Sequence, residues 1–366
     1  MKHLCLDSFQ MDTSYATPTP SVSSLTDPFN MWSNGTSNGS HCPESEAWDW
    51  LYTMQPVYMV VISVLGIVGN VFVLTVFCFH KKPCTVAEIY LSNLAAADLL
   101  LLSCLPFWAA NVANGFNWQF GDLMCRLVNA GIKMNMYSSI YFLVLVSADR
   151  YVALVHAMSH GRMRRPRYAK LSCLAVWCLG LLLSVPVLNF RKVQHVAQYN
   201  VTACMLDFPS PEVELACDVM LILLGFAVPL AAISYCTYRI IHALHTQRME
   251  RFNAENTERK ATVLVLAVLL AFLLCWIPLH LLTIVDILWR LRVLSGCALE
   301  NALDICSQLF TYLAFINSLL NPILYVIVGK NFRKKVRELA KQINLSRKKA
   351  GSTKSQLSTL KTFASN

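Results

Sequence analysis

Apolar residues in this chain are grouped in runs of about 20, the length of helix that crosses a hydrocarbon core of ~30 Å. The pattern predicts seven membrane-spanning helices, joined by short polar segments, over residues 56–79, 86–109, 124–152, 169–188, 216–238, 261–288 and 303–328. We therefore expect an all-α membrane protein. Its seven-transmembrane helix bundle, 56–328, follows an extracellular tail, 1–55, and precedes a cytoplasmic helix and disordered tail, 329–366.

Composition agrees with this prediction. Apolar residues make up 55% of the chain and charged residues only 14%, whereas a soluble domain carries roughly a quarter of charged residues. Lipid must therefore cover much of the surface. The first apolar run starts near residue 56, too late for a cleavable signal peptide, so we expect the first span to carry the tail across the membrane.

Basic residues divide unevenly between the two sides of the predicted bundle. Of the 31 Lys and Arg residues, 23 follow odd-numbered spans and six lie on the opposite side, while Lys133 and Arg150 lie within a span. Positively charged segments stay in the cytoplasm. We therefore expect a multi-pass plasma-membrane protein whose N-terminus is extracellular.

Acidic residues divide the other way. Fourteen of the 21 Asp and Glu residues lie on the outer side, which has a net charge of −8 although the whole chain has +10. This excess favours a cationic ligand through electrostatic steering, although a solvated, glycosylated surface would explain it too. The inner positive charge suits anionic lipid headgroups rather than nucleic acid. Three glycosylation acceptors lie on the outer side, Asn34, Asn38 and Asn200.

Most of the 14 cysteines lie within spans as small apolar residues. Four of the cysteines on the outer side are Cys42, Cys125, Cys204 and Cys297. Thiols oxidise there, and four thiols allow three pairings. We predict a Cys125–Cys204 disulfide, which would tether the second outer loop to the third span. A Cys42–Cys297 disulfide would then tie the tail across the mouth of the bundle.

Polar side chains inside a bilayer are costly and face the interior of the bundle. One carboxylate lies midway along the second span, and neutral polar groups lie on the third and seventh spans: Asp98, Asn135, Ser139, Asn317 and Asn321. Such a group is suited to an allosteric Na⁺. A hydrogen-bonded network that only holds the helices together is the alternative, and the two are compatible.

The inner end of the third span carries Asp149-Arg150-Tyr151, and Glu258 begins the sixth span. An Arg150–Glu258 pair would hold two helices together at the cytoplasmic side, and breaking it would open a cleft, as a two-state switch requires. Prolines inside helices remove a backbone hydrogen bond and produce kinks. Three such prolines are Pro229, Pro278 and Pro322.

These motifs together resemble those of the rhodopsin-like G-protein-coupled receptors in order and spacing. They are Gly69-Asn70, Leu94-Ala95-Ala96-Ala97-Asp98, Asp149-Arg150-Tyr151, Trp177, Pro229, Cys275-Trp276-Ile277-Pro278 and Asn321-Pro322-Ile323-Leu324-Tyr325. The resemblance implies that the polar group around Asp98 is a sodium site. It also implies that Trp276 moves the sixth helix together with Phe272, Ile140 and Pro229, and that Arg150 contacts the G protein.

Further segments are similar to those of the bradykinin (kinin) receptors. They are Thr85–Leu99, Leu105–Ala109, Asn200–Cys204, Thr257–Leu264 and Tyr325–Lys330. This resemblance implies a receptor for short Arg-containing peptides that couples mainly to Gq and, through phospholipase C, raises cytosolic calcium.

The same resemblance implies the ligand-binding residues. Asp286 and Asp304, at the outer ends of the sixth and seventh spans, would hold the N-terminal arginine of the peptide, while Asn129 and Trp276 line the pocket. Lys133 lies eight residues after Cys125, about 12 Å further down the helix. Lysine there resembles the subtype that prefers kinin lacking its C-terminal arginine, whereas Thr257–Thr262 resembles the subtype that prefers intact kinin. The subtype therefore stays open.

Two features follow the seventh span. The pattern of residues 331–340 predicts a short amphipathic eighth helix on the inner leaflet. The tail beyond offers acceptors for receptor kinases, whose phosphates would recruit arrestin: Ser346, Ser352, Thr353, Ser355, Ser358, Thr359, Thr362 and Ser365. It lacks a cysteine for palmitoylation.

Other classes compete with this hypothesis. A chemokine- or angiotensin-like peptide receptor is the nearest alternative, and a ligand scavenger is a further one that the intact Asp149-Arg150-Tyr151 disfavours. A transporter would need paired halves with broken helices near the midplane, which the sequence does not show. No metal-binding or nucleophile motif lies inside a span, so we expect no enzymatic activity.

Overall fold

The structure is a computed structural model that describes residues 47–81, 83–155, 165–197, 200–247, 256–294 and 297–345. Within these ranges it describes all side chains except those of residues 47–52, 244–247, 256–262, 297–298, 300–301 and 304. Seven helices in this part of the chain are long and apolar enough to cross a membrane. The predicted all-α, seven-span architecture is therefore confirmed.

The spans have the following bounds, in chain order. They are Ala47–Phe79; Val86–Ala113; Gly121–Val155; Pro166–Leu183, continued after Ser184 by Val185–Phe190; the fifth span, Pro211–Ile222, Leu223–Ala227 and Val228–Gln247; Asn256–Arg290; and Cys297–Ile327. Most extend beyond the predicted apolar runs, because apolarity marks only the part of a helix suited to hydrocarbon and the backbone hydrogen bonds continue past it.

The fifth span contains a π-helical segment, Leu223–Ala227, which the apolar pattern did not predict. It ends two residues before Pro229, which has no backbone N–H to continue the α-helical pattern. The hydroxyl of Tyr141 on the third span donates a hydrogen bond of 2.9 Å to the carbonyl of Leu224. A backbone oxygen within the irregular turn thus has a partner inside the bundle, as a membrane interior requires.

The third and fourth spans pack closely at Gly180. A Cβ atom added there would lie 2.6 Å from the hydroxyl oxygen of Ser138, so any larger residue would require Ser138 or the two spans to shift. Beside it, the indole N–H of Trp177 donates to the amide oxygen of Asn93 on the second span at 3.0 Å. The third span is thereby fixed at the centre of the bundle.

Two antiparallel strands, β1 (Arg191–Val196) and β2 (Val201–Leu206), form a hairpin between the fourth and fifth spans. The predicted Cys125–Cys204 disulfide joins β2 to the third span. Lys192 forms an ion pair of 2.5 Å with Asp207, and the hydrogen bond from this ammonium lowers the pKa of the Asp207 carboxyl. The hairpin therefore covers the outer end of the bundle.

The predicted eighth helix is present over 330–345. The buried ring of Phe332 packs edge-on against Phe77 of the first span, with 5.5 Å between ring centroids. Lys335 pairs with Glu88 at 2.9 Å, and Glu338 contacts Nε2 of His80 at 2.9 Å. The helix is amphipathic, since its inner face packs on the first two spans and its outer face is exposed.

Candidate ligand cavity and switch residues

A cavity lies among the spans beneath the hairpin. Its walls come from the second, third, fifth, sixth and seventh spans, the segment after the fourth span, and β1 and β2. Most lining residues are apolar, such as Met136, Leu279 and Phe315, but a few charged groups are present. A mostly apolar cleft with a few placed polar groups is the usual form of a ligand site.

Two cations line the cavity near the third span. The ammonium of Lys133 is buried, so the side chain does not extend outward to water. The guanidinium of buried Arg191 donates to the carbonyl of Cys204 at 2.9 Å and lies 5.9 Å from the ring centroid of Trp108. Both groups suit an anionic part of a ligand.

The predicted pocket residue Asn129 lies on the third span one turn after Cys125 and one turn before Lys133. Its amide donates to the carbonyl of Cys125 at 2.7 Å and to the sulfur of Cys204 at 3.4 Å. Asn129 also lines the cavity. It thus connects the hairpin to the wall of the site.

The floor of the cavity is a row of stacked rings. Trp276 stacks on Phe272 with 5.7 Å between centroids and on His280 with 6.0 Å, and His280 in turn stacks on Phe226 at 4.6 Å. Trp276 and His280 line the cavity, and Ile140 belongs to the same buried core as Phe272. A ligand that presses on Trp276 would therefore displace a connected stack on the sixth span.

Asp286 is the carboxylate that lines the cavity. It belongs to the sixth span, and its Oδ2 lies 3.1 Å from Nε of Arg290, one turn later in the same helix. Asp304, the second acid predicted to bind the peptide, is in the seventh span, but its side chain is outside the described residues.

The predicted sodium-site residues converge on Asp98. Its Oδ1 accepts hydrogen bonds from Asn135 at 3.4 Å and from Ser318 at 2.8 Å, and its Oδ2 accepts one from Asn321 at 2.8 Å. Asn135 also donates to Ser139 at 3.1 Å. All of these side chains are buried.

Asn317, the remaining member of the predicted set, is buried on the seventh span. Ser318, rather than Asn317, donates to Asp98. Among the described residues, the amide oxygens of Asn317 and Asn321 have no hydrogen-bond partner. One carboxylate with spare neutral oxygens nearby is a donor set that fits a small monovalent cation.

At the inner end of the third span, Asp149 and Arg150 are buried and paired with each other. Two guanidinium nitrogens of Arg150 lie 2.5 Å and 3.1 Å from Oδ2 of Asp149. The Tyr151 ring is 6.0 Å from the ring of Tyr235 on the fifth span. Glu258 lies in the sixth span, but its side chain is outside the described residues, so its pairing with Arg150 stays a prediction.

The kink prolines occupy helical positions. Pro278 and Pro322 lie inside the sixth and seventh spans, and Pro229 lies near the start of Val228–Gln247. Tyr325, one turn after Pro322, is fully buried and its ring centroid is 6.1 Å from that of Phe332. The end of the seventh span thus contacts the eighth helix directly.

The remaining predicted modification sites divide between described and undescribed residues. Asn200 is exposed at the turn of the hairpin, with a φ of 51° that asparagine tolerates. Asn34, Asn38, Cys42 and the tail acceptors from Ser346 onward lie outside the described residues, as does the side chain of Cys297. Glycosylation and the Cys42–Cys297 disulfide therefore stay predictions.

Several polar residues of the outer site were not predicted from the sequence: Arg191, Glu214, Asp218, His280 and Arg290. A signal existed for Arg290, because Asp286 and Arg290 are four residues apart on one helix and such pairs face each other. Arg191 could have been noted as one of only six basic residues on an acidic face. His280 has no comparable signal, since its neighbours come from separate spans.

Comparison with known proteins agrees with this geometry. Residues 69–325 match the family described as 7 transmembrane receptor (rhodopsin family). The chain is 53% identical over 312 residues to the B2 bradykinin receptor of Rattus norvegicus, covering 85% of this chain and 79% of that receptor. It is 51% identical over 304 residues to the B2 bradykinin receptor of Homo sapiens, covering 82% and 78%. It is 43% identical over 308 residues to the B1 bradykinin receptor of Homo sapiens, covering 83% and 87%.

These matches show that the chain belongs to the rhodopsin family of seven-transmembrane receptors, which are multi-pass membrane proteins and not enzymes. Within that class, the chain belongs to the bradykinin receptor family.

Proposed function

We propose that the chain is a plasma-membrane receptor for kinin peptides, with its N-terminus outside the cell, and that it signals through a Gq-class G protein. The observation that carries this proposal is the charge arrangement of the cavity. Lys133 and Arg191 lie near the third span, and Asp286 lies at the outer end of the sixth. A short peptide with a cationic N-terminus and a terminal carboxylate is complementary to such a site.

The mostly apolar walls between these charges suit the hydrophobic side chains of such a peptide. Ion pairs inside a cleft that excludes water are stronger and more directional than exposed ones, especially where an arginine meets a carboxylate. The ring stack beneath the cavity offers a route to the switch, because ligand contact with Trp276 reaches Phe272 one turn closer to the cytoplasm.

On the inner side, opening of the bundle would release Arg150 from Asp149 and expose it to the G protein. Gq then activates phospholipase C and raises cytosolic calcium. Receptor kinases would act on the Ser/Thr acceptors of the tail, and arrestin would bind the resulting phosphates. Both proposals rest on the sequence of the tail and not on the geometry of the described residues.

Calcium release in transfected cells tests the proposed function. We expect kinins to raise cytosolic calcium at concentrations in the nanomolar range typical of natural high-affinity recognition, and a phospholipase C inhibitor to abolish the response. Untransfected cells are the control, and surface expression is measured by antibody labelling in every sample. A calcium response to an angiotensin or chemokine but not to kinin would contradict the kinin assignment, and uptake of kinin without any second messenger would indicate a scavenger.

We further propose that the group around Asp98 binds an allosteric Na⁺. Asp98, Ser139 and Ser318, with the spare amide oxygens of Asn317 and Asn321, would hold the ion. An ion that binds one conformation better than another stabilises that conformation. Na⁺ bound here would favour the state with a compact polar network and oppose activation.

The sodium proposal predicts a specific effect of one substitution. At constant ionic strength, replacing choline by Na⁺ should raise the Tm of the purified receptor by roughly 2–4 °C and weaken agonist binding. Asp98→Asn should lose both effects, because the amide keeps the hydrogen-bonding shape but not the charge. Asp122→Asn, which changes a half-exposed acid of the third span, should respond to Na⁺ like the wild type. An equal Na⁺ response in Asp98→Asn would place the ion elsewhere.

A further inference from the structure

The eighth helix, 330–345, carries positive charge along one side. Four basic residues follow one another at spacings of four, three and four positions, and such spacings return to the same side of an α-helix. All four are exposed. We call them the basic stripe: Lys330, Lys334, Arg337 and Lys341.

The basic stripe points away from the bundle. Phe332 is buried in the core beside the first span, and Val336 and Leu339 pack against the same core. At about 100° per residue, these apolar side chains and the basic stripe lie on opposite sides of the helix. Because the apolar side packs against the bundle, the stripe faces solvent on the side that a soluble or tethered partner can reach.

The neighbouring charged residues of this helix already have partners. Arg333 donates to the carbonyl of Val326 at 2.8 Å, Lys335 pairs with Glu88 at 2.9 Å, and the single acid of the helix, Glu338, contacts the segment after the first span. Within the described part of the chain, no member of the basic stripe pairs with a carboxylate. Four positive charges on one exposed side attract an anionic partner.

The sequence that directly follows the helix becomes such a partner only when it is phosphorylated. Residues 346–366 contain five Lys or Arg and no Asp or Glu, so the unmodified tail is repelled by the stripe. Five of its hydroxyl acceptors fall within 352–359, where Lys354 is the one basic residue. At about −1.5 to −2 per phosphate, five phosphates would change the charge of this segment from +1 to roughly −6 to −9.

We propose that the basic stripe binds the phosphorylated segment 352–359 of the same chain, so that the tail folds back along the eighth helix. The phosphorylation itself rests on the proposed function. The guanidinium of Arg337 can bind a phosphate through two parallel hydrogen bonds, and the three lysines act as point charges. Phosphates held by the stripe are withheld from arrestin. The stripe therefore raises the number of phosphates that arrestin recruitment requires.

The length of the intervening chain permits this contact. The six residues 346–351 span up to roughly 20 Å when extended. Lys334 lies about 16 Å back from residue 345 along the helix axis, at 1.5 Å per residue. Segment 352–359 can therefore lie along the stripe without any change in the helix. A short linker also gives an effective concentration in the millimolar range, so an affinity that is weak between separate molecules suffices within one chain.

Binding of a synthetic peptide tests the proposal. A fluorescent peptide with the sequence of residues 346–366 is made with all five acceptors of 352–359 phosphorylated, and a second one is made without phosphate. Each is titrated with the purified, unphosphorylated full-length receptor in phosphatidylcholine nanodiscs, and fluorescence anisotropy is measured. We expect the phosphopeptide to bind roughly 30-fold more tightly, as several exposed ion pairs together would produce, and the difference to shrink at high salt.

Two matched variants of the receptor locate the binding surface. The test variant changes three exposed members of the stripe: Lys334→Gln, Arg337→Gln and Lys341→Gln. The control variant removes three exposed basic residues at the start of the fourth span: Arg165→Gln, Arg167→Gln and Lys170→Gln. We expect the test variant to lose most of the preference for the phosphopeptide and the control to keep it. An equal loss in both variants would mean unspecific attraction between charges, and the inference would be wrong.

Anionic lipid is the competing partner of the stripe. If nanodiscs that contain phosphatidylserine abolish phosphopeptide binding, the stripe meets lipid headgroups instead and the proposal is overturned, whereas retained binding supports it. Mass spectrometry of the receptor from kinin-stimulated cells separates this inference from the proposed function. Absence of phosphate from 352–359 would refute the action of receptor kinases there and leave the peptide-binding result standing. Phosphate on the tail without peptide binding would refute the folding back of the tail alone.

Discussion

Replacing Lys133 by serine should reverse the order of potency of intact kinin and kinin lacking its C-terminal arginine. In the wild type, we expect the shortened peptide to be the more potent one. Its terminal carboxylate would meet the buried ammonium of Lys133 and the guanidinium of Arg191, which lines the same cavity. The additional guanidinium of the intact peptide would be repelled by both cations.

The expected size of this effect is large because the site is enclosed. Pairing or opposing one buried charge is worth about 2–3 kcal/mol, so the ratio of the two potencies should change by roughly 100-fold. Calcium release by both peptides, with surface expression held equal, measures the ratio. Lys192→Ser is the control, because Lys192 is half-exposed, pairs with Asp207 and does not line the cavity.

The alternative outcomes are informative. If intact kinin is the more potent peptide and Lys133→Ser changes nothing, the ammonium does not contact the C-terminus of the ligand. The overall identity is 51% to the human B2 receptor and 43% to the human B1 receptor, whereas Lys133 resembles the subtype that prefers the shortened peptide. The experiment thus decides whether the peptide preference follows Lys133 or the higher overall identity to the B2 receptor.

Removing the Cys125–Cys204 disulfide should abolish high-affinity ligand binding. The bond closes a loop of 79 residues, and its loss costs about 4.5 kcal/mol in the chain-entropy model. Both cysteines are fully buried, and Cys204 supplies the carbonyl that orients Arg191 and the sulfur that Asn129 contacts. Loss of the bond therefore releases a cationic wall of the cavity.

The double variant Cys125→Ser, Cys204→Ser is the preferred test, because a single substitution would leave a thiol able to pair with another outer cysteine. We expect the affinity of the surface-expressed receptor for kinin to fall by more than roughly 100-fold. Cys178→Ser, at a free and exposed cysteine of the fourth span, should bind like the wild type. Unchanged affinity of the double variant would mean that hydrogen bonds, such as that from Trp118 N to the carbonyl of Thr202 at 2.7 Å, suffice to hold the hairpin.

The number of spans was readable from the sequence because hydrophobic length is a local property. The π-helical segment was not, since Leu223–Ala227 is as apolar as its surroundings and depends on Pro229 and on the hydroxyl that Tyr141 supplies from another span. Such a departure from regular geometry is decided by a partner distant in sequence.

The polar site was readable only in part, for a related reason. Asp98, Asn135 and Asn321 converge as the motifs predicted, but Ser318 rather than Asn317 donates to Asp98. Adjacent residues on a helix differ by about 100° in direction, so the choice between them depends on the local path of the seventh span near Pro322. The partner of Asp286 was within reach of spacing rules, whereas the contribution of Glu214 and Asp218 required the packing of the fifth span on the sixth.

The π-helical segment also sets the angular phase of the outer half of the fifth span. A π turn holds one more residue than an α turn, so everything before Leu223 is rotated by about 100° relative to a continuous α-helix that shares the inner half. The inner half buries Ile233, Cys236 and Ile240, while the rotated outer half directs Glu214 and Asp218 toward Arg290. The directions in which the two ends of this span point their side chains are thus set separately. A one-residue deletion in the π turn would rotate Glu214 and Asp218 away from Arg290 and leave the packing of the cytoplasmic end unchanged.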